Sequence, residues 1–197
     1  MNLGEFVANF AVGLAAADAR GPIAVNQRSG ASFQPGIGPH TEARTLELVL
    51  TELTLRHPDM YSRIQLGVPY PSATRQKCDL AIVDGYGHWF IEFKKLRLMG
   101  DNGKPNDNML MHILSPYNQH RSALTDCEKL ARSGFEGRKA IVIYGYEYIE
   151  YPLEPAIAAF EQLAGLRVML GERHSHPFSG LCHPVHKAGN VYGWEVQ

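Results

Sequence analysis

Asp79 and, after twelve intervening residues, Glu92-Phe93-Lys94 place three charged side chains within or at the end of two short apolar runs, residues 78–83 and 89–93. Strand interiors seldom hold charge unless it is paired or binds a metal. Two carboxylates and an ammonium on adjacent strands can hold a divalent cation and a water beside a phosphate. That is the chemistry of phosphodiester hydrolysis. The plainer alternative is a half-exposed hairpin whose polar face carries an acid–lysine ladder.

Positioning these groups falls to a hairpin. Asp84-Gly85-Tyr86-Gly87 is a turn signal between two strand-like runs. A two-residue turn at Gly85-Tyr86 sets Asp84 opposite Gly87 and, counting back, Asp79 opposite Glu92. Side chains alternate faces with period two. Asp79, Ala81, Val83, Phe90, Glu92 and Lys94 are then expected on one face, and Cys78, Leu80, Ile82, Trp89, Ile91 and Phe93 on the other. Cross-strand neighbours lie about 5 Å apart at Cβ, close enough for two carboxylates to repel unless a cation or proton lies between them. A one-residue slip would undo the assignment.

A third carboxylate comes from the helical run 42–57. Thr41 is its expected N-cap, with Glu42 in the acid-favouring first turn. At 100° per residue Leu46, Val49, Leu50 and Leu53 form one stripe with Glu42 at its upper end, while Glu47 and Glu52 point away. A carboxylate stabilising the helix dipole is the ordinary alternative for Glu42.

This pattern of a helix with Glu42, a strand, a strand with Asp79 and a strand with Glu92-Phe93-Lys94 resembles the PD-(D/E)xK nuclease superfamily. The resemblance covers residues 41–146, and Cys78 stands where the family pattern has proline, a position that varies. It implies a restriction-endonuclease-like α/β core, a central mixed β-sheet flanked by helices in αβββαβ order. It also implies a phosphodiesterase that uses Mg2+, with Mn2+ able to substitute. By the resemblance Asp79, Glu92 and the Phe93 backbone carbonyl would ligate the metal, Glu42 directly or through water. Lys94 would orient the attacking water. Glu42, Asp79, Glu92 and Lys94 would form the catalytic set, acting on nucleic acid, with DNA the leading expectation. Gln119 and Arg121, on the helix expected after the Glu-x-Lys strand, are candidate phosphate binders.

The chain of 197 residues fits one domain, divided into an N-terminal helix and flexible arm (1–39), a core (40–146) and a C-terminal helix and strands (147–197). The formal net charge of −1 does not favour a tight non-specific nucleic-acid binder. Lys94, Lys95, Arg97 and Lys104, then Arg121, Lys129 and Arg132, leave a local basic groove open, although such runs are more often solvated surface. Three cysteines without framework spacing argue for a reducing, cytoplasmic compartment. No apolar run reaches membrane-spanning length, and residues 1–19 read as a packed helix rather than a signal peptide. A homodimer or protein partner could use that helix.

The remaining elements read as a loop at 21–38, a strand over 61–68 broken by Pro69-Tyr70-Pro71, and a polar loop at 100–108. A helix is expected from an N-cap at Ser115 to about 131, then a buried strand at 139–146, a helix at 155–163, a short strand at 166–170 and a hairpin over 181–196 turning at Ala188-Gly189-Asn190. His174, His176, Cys182, His183 and His186 crowd into thirteen residues and are zinc-ligand types, although their spacing matches no paired finger. His183 and His186 could instead line a substrate cleft. Three functions follow: a metal-dependent nuclease, a catalytically silent relative binding nucleic acid or protein, and an α/β protein with a histidine-rich zinc site.

Overall fold

The computed structural model describes residues 1–84 and 87–197, so the expected Gly85-Tyr86 turn lies outside the described residues. Helix α1 (Leu3–Ala19) starts where the Asn2 side-chain oxygen accepts the Glu5 N–H at 2.8 Å, and α2 (Glu42–Arg56) where Thr41 Oγ1 accepts the Arg44 N–H at 3.3 Å. The stripe Leu46, Val49, Leu50 and Leu53 on α2 is buried, as its spacing requires. The two helices cross closely at Gly13, where a Cβ would stand 2.9 Å from Leu53 and 3.0 Å from Val49. A single turn, α3 (Pro58–Tyr61), follows α2.

A six-stranded mixed sheet divides the molecule. Its strands are β1 (Ile64–Tyr70), β2 (Ala73–Asp84), β3 (Gly87–Leu96), β4 (Arg138–Tyr146), β5 (His174–Ser179) and β6 (Ala188–Glu195), in the order β1-β2-β3-β4-β6-β5. Only β3 and β4 run parallel; the other neighbours are antiparallel. Strand β4 is buried from Ala140 to Tyr146 because helices cover both sheet faces. On one face α1 and α2 pack Phe6, Phe10 and Leu50 with Phe93 and Tyr144. On the other, α4 (Met111–Leu114), α5 (Ala123–Ala131) and α6 (Glu154–Gly165) enclose Leu124, Ile157 and Phe160 with Ile143 and Trp194.

Several expected boundaries move. Strand β1 runs through Pro69 instead of breaking there, because it is an edge strand that tolerates proline, and the register shifts between Pro69 and Tyr70. Tyr61 closes α3 instead of opening the strand. The helix expected from Ser115 begins at Ser122. Ser115 precedes a proline and is extended (φ −67°, ψ 130°). One 3-10 turn (Asn118–His120) and a left-handed Arg121 (φ 46°) come next, and Ser122 then caps α5 through the Thr125 N–H at 3.3 Å. The strand expected at 166–170 reduces to a bridge between Leu170 and Val196, since Leu166 still caps α6. The C-terminal hairpin exists but pairs β5 with β6. Ala188-Gly189-Asn190 lies within β6, where Gly189 is needed because a Cβ would collide with the Gly145 carbonyl and the Phe178 ring. The 21–38 arm is a loop whose end is pinned, with buried Asp18 accepting the Ile37 N–H at 2.7 Å and the Cys182 N–H at 2.5 Å. No helix among the described residues is long and apolar enough to cross a membrane.

Candidate active site

Strand β2 pairs with β3 from Leu80↔Ile91 to Asp84↔Gly87, which brings Asp79 opposite Glu92 one step beyond the last pair. Leu80, Ile82, Trp89, Ile91 and Phe93 pack in the α1–α2 core, and Ala81 and Phe90 on the opposite face. Cys78 departs from the expected alternation and packs with Tyr70, Ala81 and Phe90. At this point the Asp79 carboxylate takes the Phe93 N–H at 2.8 Å, and strict two-residue periodicity does not survive the irregularity.

The four residues singled out by spacing converge. Lys94 is 8% exposed; its Nζ lies 2.6 Å from Asp126 Oδ2 and 3.6 Å from Glu42 Oε1, and it donates to the Phe93 carbonyl at 3.0 Å. Glu42 is half-buried and accepts the Lys95 N–H at 2.7 Å, which fixes the start of α2 against β3. Glu92 is 2% exposed; its Oε1 accepts from the Tyr70 hydroxyl and from Lys129 Nζ, the latter at 2.8 Å. Lys129 Nζ also donates to Asp126 Oδ1 at 2.8 Å. A continuous chain of opposite charges therefore runs from Glu42 through Lys94, Asp126 and Lys129 to Glu92.

Burial, then the neighbouring Asp126 and Asp79, push the Glu92 carboxyl up to about 8, with Lys129 opposing. Burial raises Glu42 too, against the pull of Lys94. For Lys94 burial works towards the neutral amine, but Glu42 and Asp126 outweigh it and hold the ammonium above its ordinary value. Lys129 is held up in the same way by Glu92 and Asp126.

These groups floor a cleft of about 1060 Å3. Gln119 and Arg121 line it, together with Arg75, Lys77, His120 and Arg132. The basic run after the motif takes no part in it beyond Lys94. Lys95 is committed to the Gly38 and His40 carbonyls, and burial pulls its amine down to about 8; Arg97 is paired with Asp101 at 2.8 Å. Glu52, expected to point away from the apolar stripe of α2, is nevertheless buried and pairs with Arg20 at 3.1 Å.

Asp126, Lys129 and Tyr70 are absent from the sequence-derived set. Asp126 and Lys129 are one helical turn apart on α5, and Asp126 interrupts the apolar stripe Ala123, Cys127 and Leu130. A buried-side acid with a lysine three residues on is the signal that could have revealed them. Tyr70 carries no such signal.

A second cluster lies elsewhere. Asp101, His183 and His186 offer ligand atoms within 4.8 Å of one another and could hold a metal ion. Of the five histidine and cysteine residues in the C-terminal run only these two histidines take part. His174 and His176 sit on β5, and Cys182 is exposed against Asp18. His186 Nε2 meets Asp101 Oδ1 at 3.0 Å and its Nδ1 meets the Tyr148 hydroxyl at 2.5 Å. His183 Nδ1 accepts the Val185 and His186 N–H groups at 3.2 and 3.3 Å, while its buried Nε2 has no hydrogen-bond partner. Burial lowers both imidazoles.

No family model, curated protein or solved structure matches the chain. Its function has to be argued from the cleft.

Proposed function

We propose that the chain is a metal-dependent nuclease of the PD-(D/E)xK type, hydrolysing phosphodiester bonds of nucleic acid, with DNA as the preferred substrate. The observation that carries this reading is the meeting of Glu42, Asp79, Glu92 and Lys94 at the floor of a cleft lined by Arg75, Lys77, Arg121 and Arg132. The order α2-β1-β2-β3-α5-β4, interrupted by the single turns α3 and α4 and one 3-10 turn, supports it as well.

The residues fit a hard divalent cation. At the cleft floor the ion pairs among the described residues set Glu42, Glu92 and Asp126, with Asp79 beside them, against the ammonium groups of Lys94 and Lys129. This inner group carries more carboxylates than ammoniums, while the other cations lie around it on the cleft lining. Oxygen-only donors of this kind suit Mg2+ or Mn2+. Asp79 and Glu92 would hold the ion, with Glu42 directly or through water. The Phe93 carbonyl, the further ligand implied by the family resemblance, here accepts from Lys94. When bound, the metal supplies Lewis-acid polarisation of the phosphate and acidifies a water. The chain does the rest. Asp126 and Glu42 hold the Lys94 ammonium at the cleft floor, where it orients the attacking water and offsets charge developing on the phosphate. Gln119, Arg121 and the other lining cations seat the flanking phosphates.

Supercoiled plasmid, linear duplex, single-stranded DNA and RNA, each incubated with Mg2+, Mn2+ or EDTA, test this reading. Wild type should cut in either metal and not in EDTA, and Glu92→Ala should not cut. Folded wild type that cuts nothing in either metal overturns the catalytic reading. A specific observation favours the runner-up, a silent relative that binds nucleic acid or a protein: Glu92 Oε1 is already occupied by Tyr70 and Lys129, and Lys94 is already tied to Asp126.

A further inference from the structure

The two lysines ion-paired at the cleft floor are held differently. The Lys94 side chain is buried and enclosed by Asp126, Glu42 and the Phe93 carbonyl. Lys129 is 27% exposed, reaches in from the cleft wall and sits with its Nζ 4.8 Å from the centre of the Tyr70 ring. It ends 2.8 Å from Glu92 Oε1 and 2.8 Å from Asp126 Oδ1. An ammonium on a four-carbon stem is a compact, movable charge. A divalent ion held by Glu92 meets this ammonium at once, because both draw on the same carboxylate and like charges at such range repel.

Resting on the nuclease reading above, we infer that Lys129 is a resident counter-ion that competes with the divalent metal for Glu92 and thereby sets the metal concentration at which the cleft loads. Asp126 makes this exchange possible. It bridges the two lysines, so a displaced Lys129 keeps an anionic partner one turn away on α5 while Lys94 stays in place. The displaced ammonium remains tethered in the cleft among Arg121 and Arg132, where a phosphate would lie. Lys129 therefore acts as a positioning residue for charge, whose effect is to raise the metal requirement of the empty site.

Calorimetric titration of Mn2+ and Mg2+ into the full chain without nucleic acid tests the inference independently of catalysis. Lys129→Met should bind metal about tenfold more tightly than wild type, the effect of removing one unit charge beside the ligand oxygen. Lys129→Arg, which keeps the charge, should not tighten binding. Tyr70→Phe removes a neutral donor from the same Glu92 oxygen and should shift the affinity by no more than about twofold. Lys129→Gln serves as a second neutral variant if the methionine protein does not fold. Unchanged or weaker metal affinity in a folded neutral variant overturns the inference while leaving the nuclease reading intact. Equal tightening by Tyr70→Phe overturns it as well, since packing rather than charge would then be responsible. Failure of both wild type and neutral variants to bind metal overturns the inference and the reading beneath it together.

Discussion

At the cleft floor, Lys94 and Lys129 stand among the carboxylates of Glu42, Asp79, Glu92 and Asp126, and the inner group holds more acids than ammoniums. Around His186 the polar groups answer one another. Tyr148 meets one ring nitrogen, Asp101 the other, and Arg97 takes the second Asp101 oxygen at 2.8 Å. Burial works against the Asp101 charge, but hydrogen bonds from His186 and Arg97 hold its carboxyl below the ordinary value. Both clusters can be written down as ligand sets, and they differ in what a cation would meet. At the cleft floor it would meet more carboxylates than ammoniums, and a raised Glu92. At the histidines it would meet Arg97 and a His183 ring whose Nδ1 already accepts backbone N–H groups, leaving its proton on Nε2. Counting ligand-type residues does not separate the two clusters; counting their existing partners and net charge does.

The largest effects should fall on the cleft. Glu92→Gln keeps the side chain's shape and removes a carboxylate that would hold the metal. Turnover should fall by about three orders of magnitude or more, and above about pH 8, where Glu92 is ionised, the melting temperature should equal or exceed wild type because the repulsion from Asp79 and Asp126 is relieved. Lys94→Met should also abolish turnover but at a cost in stability. It takes the ion-pair partner from Glu42 and leaves Asp126 with Lys129 alone, and removing one partner of a buried pair costs about 3–5 kcal/mol. Plasmid cleavage with parallel thermal melts reads both. A Glu92→Gln protein that still cuts at wild-type rate would erase the functional side of the comparison.

Next in size is a matched pair of acids. Asp126→Asn should slow cleavage about ten- to a hundredfold by loosening Lys94, whereas Asp101→Asn should leave cleavage near wild type. Asp101→Asn should instead lower stability by about 1–3 kcal/mol, since His186 and Arg97 lose a charged acceptor. Denaturant midpoints and single-turnover rates separate the two outcomes. If Asp101→Asn proves the more damaging to cleavage, the histidine cluster belongs to the reaction and the division drawn between the two regions is wrong.

What was legible in the sequence divides along the same line. Glu42, Glu92 and Lys94 follow local rules, a Thr41 cap, a helical stripe and strand alternation, whereas Asp79 stands where that alternation breaks down. Asp126 and Lys129 escape those rules because Pro116 draws the eye to Ser115 as the helix start. The cap is in fact Ser122, with its hydroxyl donating to the Ser115 carbonyl at 2.5 Å. The shift turns Asp126 from one more polar helix residue into a buried ligand of Lys94. Asp101 and His186 are 85 residues apart, and their meeting depends on how the 100–108 loop and the loop after β5 fold back together. No local periodicity encodes such a meeting. Gly189 misleads for a related reason, since tight packing on Gly145 and a turn both call for glycine.

The smallest expected effect is a difference in slope. Glu92 binds its proton more tightly in the folded chain than at its ordinary value of 4.5, so its contribution to stability is full below 4.5 and is lost as pH rises through about 8. His183 and His186 are lowered by burial from 6.5. The folded rings bind protons less tightly than the unfolded ones, and their contribution is full above 6.5 and falls as pH drops below it. Arg97 and Lys95 reinforce the lowering at His186, and Asp101 opposes it. Between pH 5 and 8 the two clusters therefore pull the metal-free stability curve in opposite directions, and wild type should be nearly flat. Glu92→Gln should make stability rise more steeply with pH, and His186→Gln should make it rise less or fall. Melting temperatures of the three proteins at half-unit pH steps in EDTA measure these slopes. Repeating the wild-type series with Mg2+ should restore stability mainly at the alkaline end, where Glu92 has lost its proton. Parallel curves for all three proteins would mean that neither cluster titrates in this range and that the charge contrast between them does not govern stability.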